Sequence, residues 1–203
     1  MDEVLSVRLT EAIVSMASTL FRNLVQQLAK NLKSRNHEEI PYLLNTYCSV
    51  EQDWTHFAQE HSDLDTKYTR NNLFSLPDNL GQVLLLTWKP NSGSKVHNHP
   101  QSECWVKLLG GQMEEKVYDA SQKKIGMRRS LRDEVTHIND SMGMHSMHNR
   151  SLKNYAFSLH VYHQSRSVNT GLDSGILCTE SHHASQRGSP VIHLDFQQAL
   201  FSK

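Results

Sequence analysis

The chain has 203 residues, which suits one domain with one core, and its 21 Lys plus Arg balance 21 Asp plus Glu. A formal charge of zero supplies no field to draw in a polyanion or an acidic lipid surface, so neither nucleic acid nor membrane is expected as a partner. Three scattered cysteines without C-x-x-C spacing argue against a disulfide scaffold or a thiolate zinc site, and Asp2, Glu3, Arg8 and Glu11 interrupt any apolar leader, so the expected compartment is the cytoplasm.

Leu9, Ile13, Met16, Ala17, Leu20, Leu24, Val25 and Leu28 recur at helical spacing and predict an amphipathic helix from about Arg8 to Lys33. A second helix is expected over Ile40 to Tyr47. A third opens at Ser49, with Gln52 placed to complete a capping box and Trp54 and Phe57 turned to the core. The character changes near Tyr68. Short apolar or β-prone runs follow at Val83 to Trp88, Glu103 to Leu109, Met113 to Tyr118, Glu134 to Ile138, Tyr155 to Tyr162 and Val191 to Phe196. Turn residues separate them at Asn91-Ser92-Gly93, Gly110-Gly111, Asn139-Asp140-Ser141 and Asn169-Thr170-Gly171. This pattern predicts a mainly β fold, a jelly-roll barrel over residues 67–203, with residues 1–66 as a helical cover and the whole as a single domain. The stretch Gly171 to Pro190 reads as a loop, and a monomer is expected.

Thirteen histidines are about twice ordinary usage. His37, His56, His61, His182 and His183 lie in polar surroundings and read as solvated. His97-Asn98-His99 differs, because residues i and i+2 on a strand share a face and their imidazoles converge on one point. Glu103 and Gly110 complete an H-x-H-x3-E-x6-G run with a turn glycine, Gly93, just upstream, and Gly143, His145 and Asn149 give G-x-H-x3-N downstream. These two stretches resemble the paired metal-binding motifs of the cupin superfamily, which implies a cupin-type barrel holding a metal through His97, His99 and His145. Three neutral imidazoles leave the metal's charge uncompensated and suit iron, zinc, copper or nickel; oxygen chemistry at open sites favours iron(II).

Between Tyr68 and Tyr162 the chain further resembles the cysteine dioxygenase family of thiol dioxygenases. The resemblance rests on Tyr68-Thr69-Arg70-Asn71, on Ser102-Glu103-Cys104 with Lys107-Leu108-Leu109-Gly110, on the run from Ile138 to His145, and on Ser158-Leu159-His160-Val161-Tyr162. It implies that Arg70 and Tyr68 bind the substrate carboxylate, which suits the fork of an arginine. It implies a Ser158–His160–Tyr162 relay beside the metal and a thioether between Cys104 and Tyr162. Alternation does place Ser158, His160 and Tyr162 on one face, whereas Cys104 lies an odd step from His99 and needs a bend at Pro100-Gln101. The implied reaction joins L-cysteine and dioxygen to cysteine sulfinate on one iron(II) per chain, a step of cysteine catabolism and taurine biosynthesis. A different small thiol, such as 3-mercaptopropionate or cysteamine, and a non-catalytic metal- or ligand-binding cupin are the alternatives. Two positions depart from the family: Glu103 stands where many other cupins have a fourth ligand, and His163-Gln164-Ser165-Arg166 replaces the usual Ser-Pro-Pro.

Overall fold

A computed structural model describes residues 19–58, 66–164 and 191–193. The expectations for Leu9 to Ala17, Asn169-Thr170-Gly171, Gly171 to Pro190, His61, His182 and His183 lie outside these residues. Helix α1 occupies 19–34, α2 Ile40–Thr46 and α3 Glu51–Trp54. The strands are β1 Tyr68–Ser75, β2 Gly81–Trp88, β3 Ser92–Gly93, β4 Ser102–Gly110, β5 Gln112–Tyr118, β6 Lys124–Leu131, β7 Val135–Asn139, β8 Met144–Asn149, β9 Ala156–Gln164 and β10 Val191–His193.

They form a six-stranded sheet, β10-β1-β2-β9-β4-β7, and a four-stranded sheet, β3-β8-β5-β6. Every named pairing is antiparallel except β1 with β10. One core lies between the sheets and joins Leu84, Leu86 and Trp88 of β2, Cys104, Val106 and Leu108 of β4, and Met113 and Met147 of the smaller sheet. The opposite face of the large sheet carries Val83, Leu85, Trp105, Leu159 and Val161, which pack under Phe21, Val25, Leu28, Leu44 and Trp54 of the helices. The mainly β jelly-roll architecture with a helical N-terminal cover is therefore present as expected. Burial of both faces also explains why β2 is a continuous apolar run rather than an alternating one.

Several local expectations are corrected. Leu20 is exposed, and Phe21 takes the core-facing position in its place. Ser49 does not cap α3: Val50 is the N-cap residue, with no side-chain cap bond, and the Ser49 hydroxyl donates to the Leu109 carbonyl while accepting from the Trp54 indole N–H. Trp54 needs a partner for its buried N–H, and that demand ties α3 to β4. Tyr68 to Asn71 begins β1, and β6 and β8 add strands that the apolar runs did not mark. Gly93 is not a turn residue but a strand residue whose Cβ would stand 2.5 Å from the Met147 carbonyl, so glycine alone permits that approach of β3 to β8.

Candidate metal centre

His97-Asn98-His99 is not a regular strand. Only His97 pairs, through an isolated bridge in which its N–H and C=O both bond His145, at 2.9 and 2.8 Å. His99 follows in an irregular stretch that closes with Ser102 N–H donating to the His99 carbonyl, and Gln101 sits at φ 51°. The imidazoles still converge, because the bridge brings His97 to His145 and the turn at Pro100-Gln101 folds His99 over them. Nε2 of His145 lies 2.9 Å from Nε2 of His99 and 3.1 Å from Nε2 of His97. Among the described residues this is the only group of three or more His, Cys, Asp or Glu side chains with metal-binding spacing.

The proton inventory shows that these atoms suit a cation. The Nδ1 of His97 must donate to the Lys95 carbonyl at 3.0 Å, since a carbonyl only accepts. His145 likewise directs Nδ1 at Glu115 Oε1, 2.5 Å away. Burial, and then the neighbouring His145, hold the His97 pKa down to about 4, so the ring is neutral at pH 7. With its proton on Nδ1, neutral His97 turns its Nε2 lone pair toward His145 Nε2, and a shared metal ion would give that lone pair a partner.

Glu115 was not singled out from the sequence. It is buried and braced by Arg128 on its far side. Burial alone would raise its pKa, but the bonds from His145 and Arg128 prevail and hold it low. Met113-x-Glu115-x-Val117 is the sequence signal: a carboxylate at an inward position of an otherwise apolar alternation must have a partner. Glu103, by contrast, lies on the outer face of β4. It bonds His137 and, at 3.2 Å, the Asn139 amide, and has no place in the histidine group.

Behind the histidines, β9 and β4 are paired so that Cys104 and Tyr162 stand directly opposite each other. Cys104 is buried and Tyr162 half-buried, and the Tyr162 hydroxyl bonds the Cys104 thiol. Burial raises both pKa values, so each group keeps its proton at neutral pH. Ser158, His160 and Tyr162 share the inner face: Ser158 Oγ is 2.9 Å from His160 Nε2, and His160 Nδ1 is 3.3 Å from the Tyr162 hydroxyl. Trp88 extends the chain, its indole Nε1 donating to Ser158 Oγ at 2.8 Å. An indole can only donate, so Ser158 accepts from Trp88 and meets His160 Nε2 with its own proton or its second lone pair, and His160 Nδ1 faces the Tyr162 hydroxyl. Burial, and then the nearby His145 and Arg70, keep His160 neutral. The Tyr162 ring lies 5.7 Å from that of His99, which links the relay to the histidine group.

Arg70 and Tyr68 occupy the same face of β1. Tyr68 stacks on Trp88 at 4.4 Å, and the charge of Arg70 is felt at His97, Cys104, His160 and Tyr162. The expected carboxylate-binding pair is thus within electrostatic reach of the histidines. Among the described residues no helix is long and apolar enough to cross a membrane.

The sequence model of cysteine dioxygenase type I matches residues 9–168. Cysteine dioxygenase type 1 of Danio rerio is 35% identical over 136 residues, which cover 64% of this chain and 66% of that protein. The Homo sapiens protein of the same name is 32% identical over 133 residues, 63% of this chain and 64% of that one. The match thus spans just under two thirds of these relatives' length. The Schizosaccharomyces pombe Cnp3 cupin domain superposes with a TM-score of 0.43 at 14% identity, covering 51% of this chain and 69% of that domain. With the family's sequence pattern running through most of its length, the chain belongs to the cysteine dioxygenase type I family.

Proposed function

We propose that the protein is an iron(II) dioxygenase that converts L-cysteine and dioxygen to cysteine sulfinate. The observation that carries this reading is the convergence of three imidazole Nε2 atoms at 2.9 and 3.1 Å beside a relay that ends on a tyrosine hydroxyl. His97, His99 and His145 would hold the metal. A ferrous ion held there supplies positive charge for a substrate thiolate and one-electron chemistry for dioxygen.

The remaining work belongs to the chain's own side chains. Arg70 would take the cysteine carboxylate in its planar fork, with the Tyr68 hydroxyl as a second donor, and so orient the sulfur toward the histidines. Tyr162 would offer its proton to charge that builds at the reacting sulfur or oxygen, and His160, fixed by Ser158 and Trp88, keeps that hydroxyl aimed. The apolar wall of Leu84, Leu86 and Val106 shields the site from water. Cys104 and Tyr162, face to face across the ladder, would form the thioether by losing two hydrogens to dioxygen.

The deciding experiment adds cysteine to the ferrous protein without oxygen, then admits oxygen and weighs the product. A product carrying both oxygen atoms of one dioxygen supports the proposal, and cysteine recovered unchanged or as the disulfide removes it. Running cysteamine and 3-mercaptopropionate beside it tests the Arg70 assignment, since only substrates with a carboxylate should depend on that residue.

A further inference from the structure

On the opposite face of β9 from Tyr162 lies a cavity of about 460 Å³ that the metal centre does not use. Its walls come from the end of α1, the segment between β1 and β2, and the end of β9. Two of its lining residues, Lys33 and Arg35, carry positive charge, His37 and His163 add imidazoles, and no carboxylate lines it. The rest of the wall is largely apolar, with Leu32, Leu76 and Leu80.

Two details show that this is more than basic side chains near a helix end. Arg35 ends α1 in a Schellman arrangement, its N–H bonding the Leu32 carbonyl at 3.3 Å and the Asn36 N–H bonding the Asn31 carbonyl at 3.0 Å. The residue at that position has φ 58°, where glycine is the usual choice, so an arginine there is held against its backbone preference. The second detail is His163, 7% exposed, whose Nδ1 is sealed from solvent without a hydrogen-bond partner. His37 stacks on it at 4.8 Å and directs its own Nδ1 at the Arg35 carbonyl, so its Nε2 is the nitrogen left to meet a ligand. Burial first, and then the neighbouring His37 and Arg35, lower the His163 pKa, with Glu103 acting the other way, so this ring is held neutral. The helix dipole accounts for Lys33 and Arg35 at the end of α1 but not for two imidazoles brought from other elements.

We propose that this cavity is a second ligand site, separate from the metal centre, for a small organic anion: an oxyanion head between Arg35, His37 and His163, and a short apolar body against Leu32 and Leu76. Phosphate, sulfonate and carboxylate heads share the required chemistry. The volume lies within the range of small-molecule sites. Because His163 follows Tyr162 on the same strand with its side chain on the other face, an occupant presses on the backbone that carries the tyrosine.

The test is calorimetric titration of the full-length, iron-loaded protein with propane-1-sulfonate and with inorganic phosphate, compared with Arg35→Gly. Glycine suits the left-handed backbone at this position, so the variant should melt no lower than the parent. The expected result is measurable binding of the sulfonate, weakened roughly tenfold or more in Arg35→Gly and also in His37→Gln. Phosphate should bind more weakly than the sulfonate, because it leaves the apolar wall unfilled. No heat from either anion up to about 10 mM, or equal affinities in the parent and Arg35→Gly, would overturn the proposal. The metal-centre reading is untouched by either outcome, since turnover of cysteine needs none of these residues.

Discussion

Glu115→Gln isolates the contribution of one buried carboxylate to metal binding. The carboxylate is 2.5 Å from His145 Nδ1, with side-chain exposures of 3% and 1% for the two residues, so water does not stand in for the lost charge. Glutamine keeps the shape and an acceptor oxygen, but it exchanges a charge-assisted bond for a neutral one of about half the strength. It also turns an amide N–H₂ toward Arg128. That arginine is 41% exposed and regains water, so its share of the loss is small. What remains is the basicity and orientation of His145, and losing such an outer partner weakens metal affinity by about 10- to 100-fold, or ~1.4 to 2.7 kcal/mol. Anaerobic competition with a coloured ferrous chelator measures this without reference to turnover. Equal retention of iron by the parent and Glu115→Gln would refute the argument that the carboxylate holds the ring for the metal.

Trp88→Phe removes the indole donor to Ser158 while keeping an aromatic ring under Tyr68; chemical denaturation should show a loss of about 1 to 3 kcal/mol, and kcat should fall with little change in KM. Adding Ser158→Ala to Trp88→Phe should cost little more, and full additivity would mean the two do not share one relay. Gly143→Ala places a Cβ 2.3 Å from the Tyr118 carbonyl at φ 107°, so a stability loss of about 1 to 3 kcal/mol is expected in urea melts, with weakened iron binding because His145 lies two residues on. His160 and His163 are both held below the ordinary histidine pKa, chiefly by burial. The unfolded chain therefore takes up protons below about pH 6.5 that the folded chain refuses, and stability is lost there as the pH is lowered, by up to ~1.4 kcal/mol per pH unit for each group. From about pH 8 upward these two groups contribute almost no slope. Urea midpoints at acidic and neutral pH should draw closer in His163→Gln, and an unchanged difference would show that this histidine is not buried neutral.

The parts of this fold that could be read from the sequence are those where burial writes a simple pattern. Val83 to Trp88 is apolar throughout because helices cover one face of β2 and the barrel interior the other, and Ser158 to Tyr162 alternates because only its inner face is polar. Strand β6 left no such trace. It lies at the edge of its sheet, and nearly all of its residues are exposed or half-buried, so Lys124 to Leu131 offers few apolar contacts to mark it. The histidines were identified by spacing, yet the reason they meet is not strand periodicity but the His97–His145 bridge and the left-handed Gln101, neither of which spacing can encode. Trp88 closes an apolar run, and its polar role depends on a partner seventy positions away, Ser158, which the run itself does not reveal.

The pairing of Cys104 with Tyr162 also bears on how the chain survives unfolding. A covalent bond between those side chains would enclose roughly sixty residues in a ring, and on a chain-entropy account a closure of that length shrinks the denatured ensemble by about 4 kcal/mol. Strain in the ladder is small, because the two residues are already nearest neighbours. Protein that has matured under oxygen would therefore melt higher than freshly made protein, so a melting curve with two steps would separate cross-linked chains from open ones.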